Sequence, residues 1–124
     1  MSNEREDLAR RAVACKHWRW MPGMRDANGD TVVMVKFGVP YVFCWDESGQ
    51  AACASTLALP DLTDPCTLGG LLALVREAYG QPLAFCQRIN INNYVEVNPV
   101  WHITTGHVGE TKAAALVTAL EAAP

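Results

Sequence analysis

A chain of 124 residues and 13.5 kDa, half of it hydrophobic and 19% charged, is long enough to bury one core and too apolar for disorder. Its net charge of −3 and pI near 5.5 argue against a basic, counterion-releasing protein, so no direct nucleic-acid binding is expected. No apolar run approaches the roughly 20 residues of a membrane span, and the polar start Met1-Ser2-Asn3-Glu4 has no signal-peptide pattern, so one domain in the cytoplasm is expected.

The segment from Asn3 to Cys15 predicts a helix, with Asn3 and Glu6 as a capping box and Leu8, Ala12 and Cys15 on one stripe. A dense aromatic and basic stretch follows, Lys16-His17-Trp18-Arg19-Trp20-Met21-Pro22-Gly23-Met24-Arg25. Alternation of Trp18 and Trp20 with His17 and Arg19 suits an extended segment with both indoles on one face. Asp26-Ala27-Asn28-Gly29-Asp30 reads as a turn. Strands are expected at Thr31–Phe37, Tyr41–Trp45 and Ala51–Leu59, with a bulge or short turn at Gly38 and Pro40, forming an antiparallel meander.

Asp64 is a good N-cap and Pro65 a good first residue for a helix running to Tyr79. Its apolar stripe is Leu68, Leu71, Leu72, Val75 and Tyr79, expected to pack on the first two strands, and Gly80 supplies a left-handed C-cap. Strands are then expected at Leu83–Ile89, Tyr94–Val97 and Val100–Thr104, with a loop at Asn90–Asn93. A last helix from Glu110 to Ala122 has Leu116, Val117 and Leu120 on its apolar edge and Thr111 as a cap. The fold class is α+β: a single-domain sandwich of about five to six mainly antiparallel strands packed against two to three helices.

The motifs exclude more chemistry than they indicate. The cysteines Cys15, Cys44, Cys53, Cys66 and Cys86 are odd in number and form no CxxC pair. They read as reduced, small buried hydrophobes, without disulfides or metal. His102 and His107 lie five apart with no carboxylate between them, which is not a metal spacing. Asp26-Ala27-Asn28-Gly29-Asp30 has its glycine too early for a calcium loop, and Phe37 stands where the bidentate Glu belongs. No P-loop or GxSxG occurs; Gly69-Gly70 inside the middle helix suits close packing. No cofactor is expected.

Three stretches resemble a known group: Leu8 to Cys15 leading into Trp18-Arg19-Trp20-Met21-Pro22-Gly23-Met24; Leu59-Pro60-Asp61-Leu62-Thr63-Asp64-Pro65 leading into Thr67-Leu68-Gly69; and Ala115-Leu116-Val117 leading into Ala119-Leu120-Glu121-Ala122-Ala123. Together they resemble small proteins encoded by bacteriophages and prophages, similar in pattern to the phage ABA-sandwich proteins. That resemblance implies a phage accessory protein in the host cytoplasm, with an α+β sandwich and no enzymatic activity. The segment from Phe85 to His107 departs from the pattern, as do Lys112 and Ala114 where an acidic residue is expected.

Four tryptophans in 124 residues are the most informative composition feature. Trp45 and Trp101 fall in strand-like runs and read as core. Trp18, Arg19, Trp20 and Arg25 read either as a sandwich edge or as a recognition surface, because Trp and Arg dominate interface hot spots and also hold nucleotides. Arg88 and His102 are added from the unmatched region. The expected function is stoichiometric binding: inhibition of a host protein complex, such as a defence complex, or sequestration of a small signalling nucleotide. The alternatives are self-assembly as a homo-oligomeric accessory protein, or an enzyme with an unrecognised site.

Overall fold

The computed structural model describes residues 4–45, 47–89 and 100–124. It is an α+β fold with elements in the order α1 (Glu4–Ala14), β1 (Val32–Lys36), β2 (Val39–Trp45), β3 (Ala51–Ser55), α2 (Pro65–Tyr79), β4 (Cys86–Ile89), β5 (Val100–Ile103), β6 (Val108–Gly109) and α3 (Lys112–Ala122). Among the described residues, six strands form two antiparallel three-stranded sheets, β1-β2-β3 and β4-β5-β6. The chain gathers into two compact units, residues 19–70 and residues 1–18 with 71–124, and α2 runs from one into the other. Asn3, the Asn90–Asn93 loop and the Tyr94–Val97 strand expected from sequence lie outside the described residues.

In the unit of residues 19–70, the expected Asn-Gly turn is present and is tied down by Asp26. This fully buried carboxylate accepts the N–H of Asn28 (3.0 Å) and of Asp30 (2.9 Å) and the hydroxyl of Thr56 (2.7 Å). Thr56 also ends β3 early, at Ser55 rather than Leu59. Its hydroxyl is drawn to Asp26 and accepts the N–H of Ala58, so the chain leaves the ladder. Strands β1 and β2 are joined by the two-residue turn Phe37-Gly38, both at positive φ (52° and 78°), and Lys36 pairs with Val39 across it. That is the type I′ hairpin connection, whose backbone twist matches that of the strands. The ladder is irregular between Val32 and Met34, where Val33 is the extra residue of a bulge.

The same unit holds the start of α2. As its sequence indicates, Asp64 caps the helix, accepting the N–H of Thr67 at 2.9 Å. Gly70 is a close-packing site: a Cβ there would stand 2.5 Å from Cε of the buried Met24, whereas Gly69 meets nothing.

In the unit of residues 1–18 and 71–124, α3 is buried nearly all round: Ala113, Ala115, Leu116, Val117, Ala119 and Leu120 are inaccessible. Such a helix needs small residues where backbones approach, and a Cβ on Gly109 of β6 would fall 2.4 Å from the Ala115 nitrogen. Thr111 caps α3 as expected, accepting the Ala114 N–H at 3.0 Å, so the helix begins at Lys112 rather than Glu110. Helix α1 buries Ala12 of the expected stripe together with Ala9 beside it, leaving Leu8 and Cys15 half-buried, and Arg11 forms a two-pronged ion pair with Glu121 of α3 at 3.1 and 2.5 Å.

Helix α2 spans Pro65–Tyr79 as expected and ends in a Schellman turn, with Gly80 at φ 63° and the Gln81 N–H donated to the Arg76 carbonyl at 2.9 Å. Its buried stripe is Thr67, Leu71, Leu74 and Val75. Leu68, Leu72 and Tyr79, expected at its centre, are half-buried. The Tyr79 hydroxyl reaches out instead to the Ala119 carbonyl at 2.7 Å. Strand β4 begins at Cys86, not Leu83, because Gln81–Ala84 is a turn whose last carbonyl accepts from Arg76 Nε at 2.6 Å.

Two sequence expectations about burial are corrected. Trp45 is not core: it is 70% exposed. The cysteines are not all buried either. Cys53 and Cys66 are exposed and Cys15 and Cys86 half-buried, and all four are free thiols. In each exposed case the local period sets the outcome. Cys53 lies on the open face of edge strand β3, and Cys66 stands one residue before the inward-facing Thr67.

Candidate functional site

The residues singled out in sequence fall in both compact units. Trp18 and Trp20 are half-buried and Arg19 exposed, in a stretch with no regular strand, where Trp18 donates its backbone N–H to the Cys15 carbonyl at 3.0 Å. Trp18 belongs to one compact unit, and Arg19, Trp20 and Arg25 belong to the other. Arg25 has structural partners: its N–H donates to Thr67 Oγ1 at 2.9 Å, and its guanidinium lies 3.8 Å from the Asp64 carboxylate. In the second sheet His102 stands opposite Gln87 and Arg88 opposite Trp101, so Arg88 and His102 occupy alternate register positions.

The β1-β2-β3 sheet is the more informative surface. Register and the two-residue period put Met34, Lys36, Val39, Tyr41, Phe43 and Trp45 on one face with Ala51, Cys53 and Ser55. The opposite face carries Val32, Pro40 and Val42, all buried. The first face should be polar if it met only water. It is apolar: Trp45 is 70% exposed, Phe43 46%, Met34 40% and Val39 39%. Phe43 and Trp45 pack edge to face, centroids 5.7 Å apart. At the hairpin end of the sheet, Phe37 and Leu57 are 100% exposed. Among the described residues of the face, Lys36 is the one that is charged.

This surface was readable in principle. In Tyr41-Val42-Phe43-Cys44-Trp45 both alternating sets are apolar, and an edge-limited meander of three strands cannot cover both faces itself. Phe37-Gly38 also puts Phe where a two-residue hairpin turn prefers Asn or Asp.

Elsewhere the chemistry is sparse. A shallow depression of about 400 Å³ is lined by Gly80, Gln81, Pro82, Leu83, Ala84 and Thr104, and the Thr104 hydroxyl already accepts the Phe85 N–H at 3.2 Å. The His107 Nδ1 and Thr105 hydroxyl lie 2.9 Å apart, and the His107 ring stacks obliquely on Tyr79 at 5.8 Å. Burial raises the Tyr79 hydroxyl above its ordinary pKa. Burial likewise raises the Cys15 and Cys86 thiols, disfavouring the thiolate a nucleophile needs. Among the described residues no three His, Cys, Asp or Glu side chains converge as a metal site, and no helix is long and apolar enough to cross a membrane. Comparison with known protein families, with curated proteins and with solved structures returns no match.

Proposed function

We propose that this protein acts by stoichiometric binding of another protein and not by catalysis. The observation that carries this reading is Phe37. A bulky residue in the left-handed region costs roughly 1–2 kcal/mol relative to ordinary conformations, and a fully exposed phenyl ring adds apolar surface in water. Strain held at an exposed tip points to a contact. Leu57, beyond the end of β3, is a second fully exposed apolar side chain. The resemblance to bacteriophage accessory proteins favours a host protein as the partner, taken out of action by occupancy. Sequestration of a small nucleotide has less support, because Arg25, one of the cations expected to meet a phosphate, already faces Asp64.

The test is Phe37→Asn, which suits a type I′ turn. Tagged wild-type protein should retain one partner in near-equimolar yield from bacterial lysate. The variant should lose that partner while melting at the same or a higher temperature. Equal retention by the variant would remove the basis of the reading.

A further inference from the structure

We propose that the open face of the β1-β2-β3 sheet is closed by a second copy of this chain, stacked face to face across a two-fold axis. The inference concerns the face built on Phe43 and Trp45 and is independent of the Phe37 contact.

Size supports it first. With aromatic side chains presenting about 150–250 Å² each, the exposed fractions of Trp45, Phe43, Met34 and Val39 plus the small β3 side chains leave roughly 500 Å² open. A patch of that size on a monomer marks an interaction site. Stacking two such faces, with Met34 and Lys36 of β1 left at the rim, buries somewhat less than about 1,000 Å² in total, the size of a small, reversible interface.

Relief is the second argument. The face has a row of large side chains on β2, Tyr41, Phe43 and Trp45, beside a row of small ones on β3, Ser55, Cys53 and Ala51, paired rung by rung. A two-fold axis along the strands, between β2 and β3, lays the large row of each copy over the small row of the other. Phe43 then stands over Cys53 of the second copy, and Trp45 over Ala51 of the second copy. Each rung sums one large and one small side chain, filling the roughly 10 Å gap between stacked sheets evenly. A surface that complements itself is what an isologous dimer requires. Charge does not oppose it: Lys36, the face's one charge, lies on β1, at the rim of this arrangement.

Sedimentation velocity over a concentration series tests it. The wild type should pass from monomer to dimer as concentration rises into the micromolar range. Phe43→Glu and Trp45→Glu should remain monomers throughout with an unchanged circular dichroism spectrum. Trp45→Ala, which adds no charge, should weaken the dimer at least about tenfold. Phe37→Asn should dimerise as wild type does. In a Cys66→Ser background, Cys53, located by peptide mapping, should react with a maleimide in dilute protein and be protected at concentrations where the dimer forms. A wild type that stays monomeric, assembles further than a dimer or dimerises equally with glutamate at Phe43 and Trp45 would overturn the inference. So would alkylation of Cys53 that is equally fast at low and high protein concentration. None of these results bears on the partner captured through Phe37.

Discussion

Helix α3 (KAAALVTALEA) and strand β2 (VPYVFCW) are both almost wholly apolar, yet they meet opposite environments. In α3 six residues are buried, and the alanines among them let neighbouring backbone approach, as the contact of Gly109 with Ala115 shows. In β2, Val42 is buried while Phe43 and Trp45, on the other face, remain open. Small side chains let one helix be enclosed by its own chain, whereas large aromatics on a narrow sheet outrun what a short chain can cover. An apolar run therefore states a need for neighbours without saying which molecule supplies them.

That contrast has its largest expected effect in stability. Leu116→Ala removes a fully buried side chain, and the loss should be about 3–5 kcal/mol, with a cavity adding to the transfer term. Trp45→Ala, although it deletes more atoms, should change monomer stability by no more than about 0.5–1 kcal/mol. Urea denaturation of dilute protein measures both. A Trp45→Ala loss as large as that of Leu116→Ala would mean that the open face is part of the core.

A smaller effect is expected in the loop that anchors the open sheet. Asp26 holds two backbone N–H groups and the Thr56 hydroxyl from full burial. Asp26→Ala leaves those donors unpaired and should cost about 2–3 kcal/mol, with Asp26→Asn, which keeps one acceptor oxygen, costing less. The same urea series reads the two variants. Equal costs would mean that the oxygen kept in asparagine contributes nothing and that the whole effect lies in the carboxylate's charge and its second oxygen.

Elements with local signals were legible in the sequence. Asp64-Pro65 and Gly80 delimit α2, Thr111 caps α3, and Asn28-Gly29 turns the chain, because each depends on residues within a few positions. What depended on distant partners was not. β3 stops at Ser55 because Thr56 meets Asp26, thirty positions away. β4 starts late because Arg76 takes the Ala84 carbonyl. Helix α2 buries Leu74 and leaves Leu72 half-buried, a rotation that its own apolar spacing does not specify. The candidate surface was missed for a related reason. Tryptophans beside arginines drew attention to Trp18–Arg25, where Arg25 is engaged by Asp64 and Thr67. The exposed aromatics of β2 looked like core because a strand pattern carries no count of the layers above it.

The smallest expected effect belongs to the enclosed side of the comparison, where α1 meets α3. The hydrogen bond from Arg11 holds the Glu121 carboxyl below its ordinary value of 4.5, against a burial penalty that pushes it up. The same bond raises the Arg11 guanidinium, which therefore stays charged throughout acid titration. A carboxylate whose folded pKa is depressed adds stability that is present above its unfolded pKa and lost as pH falls through the folded one. Both side chains are 37–49% exposed, so solvent screening keeps the pair within about 1 kcal/mol. Glu121→Gln should therefore be less stable than wild type by a few tenths to about 1 kcal/mol at pH 7. The gap should persist down to about pH 4.5, close as pH falls below it, and shrink at neutral pH in high salt. Matched urea titrations at pH 7 and pH 3 measure it. A difference equally large at both pH values would assign Glu121 a packing role in place of an ionic one.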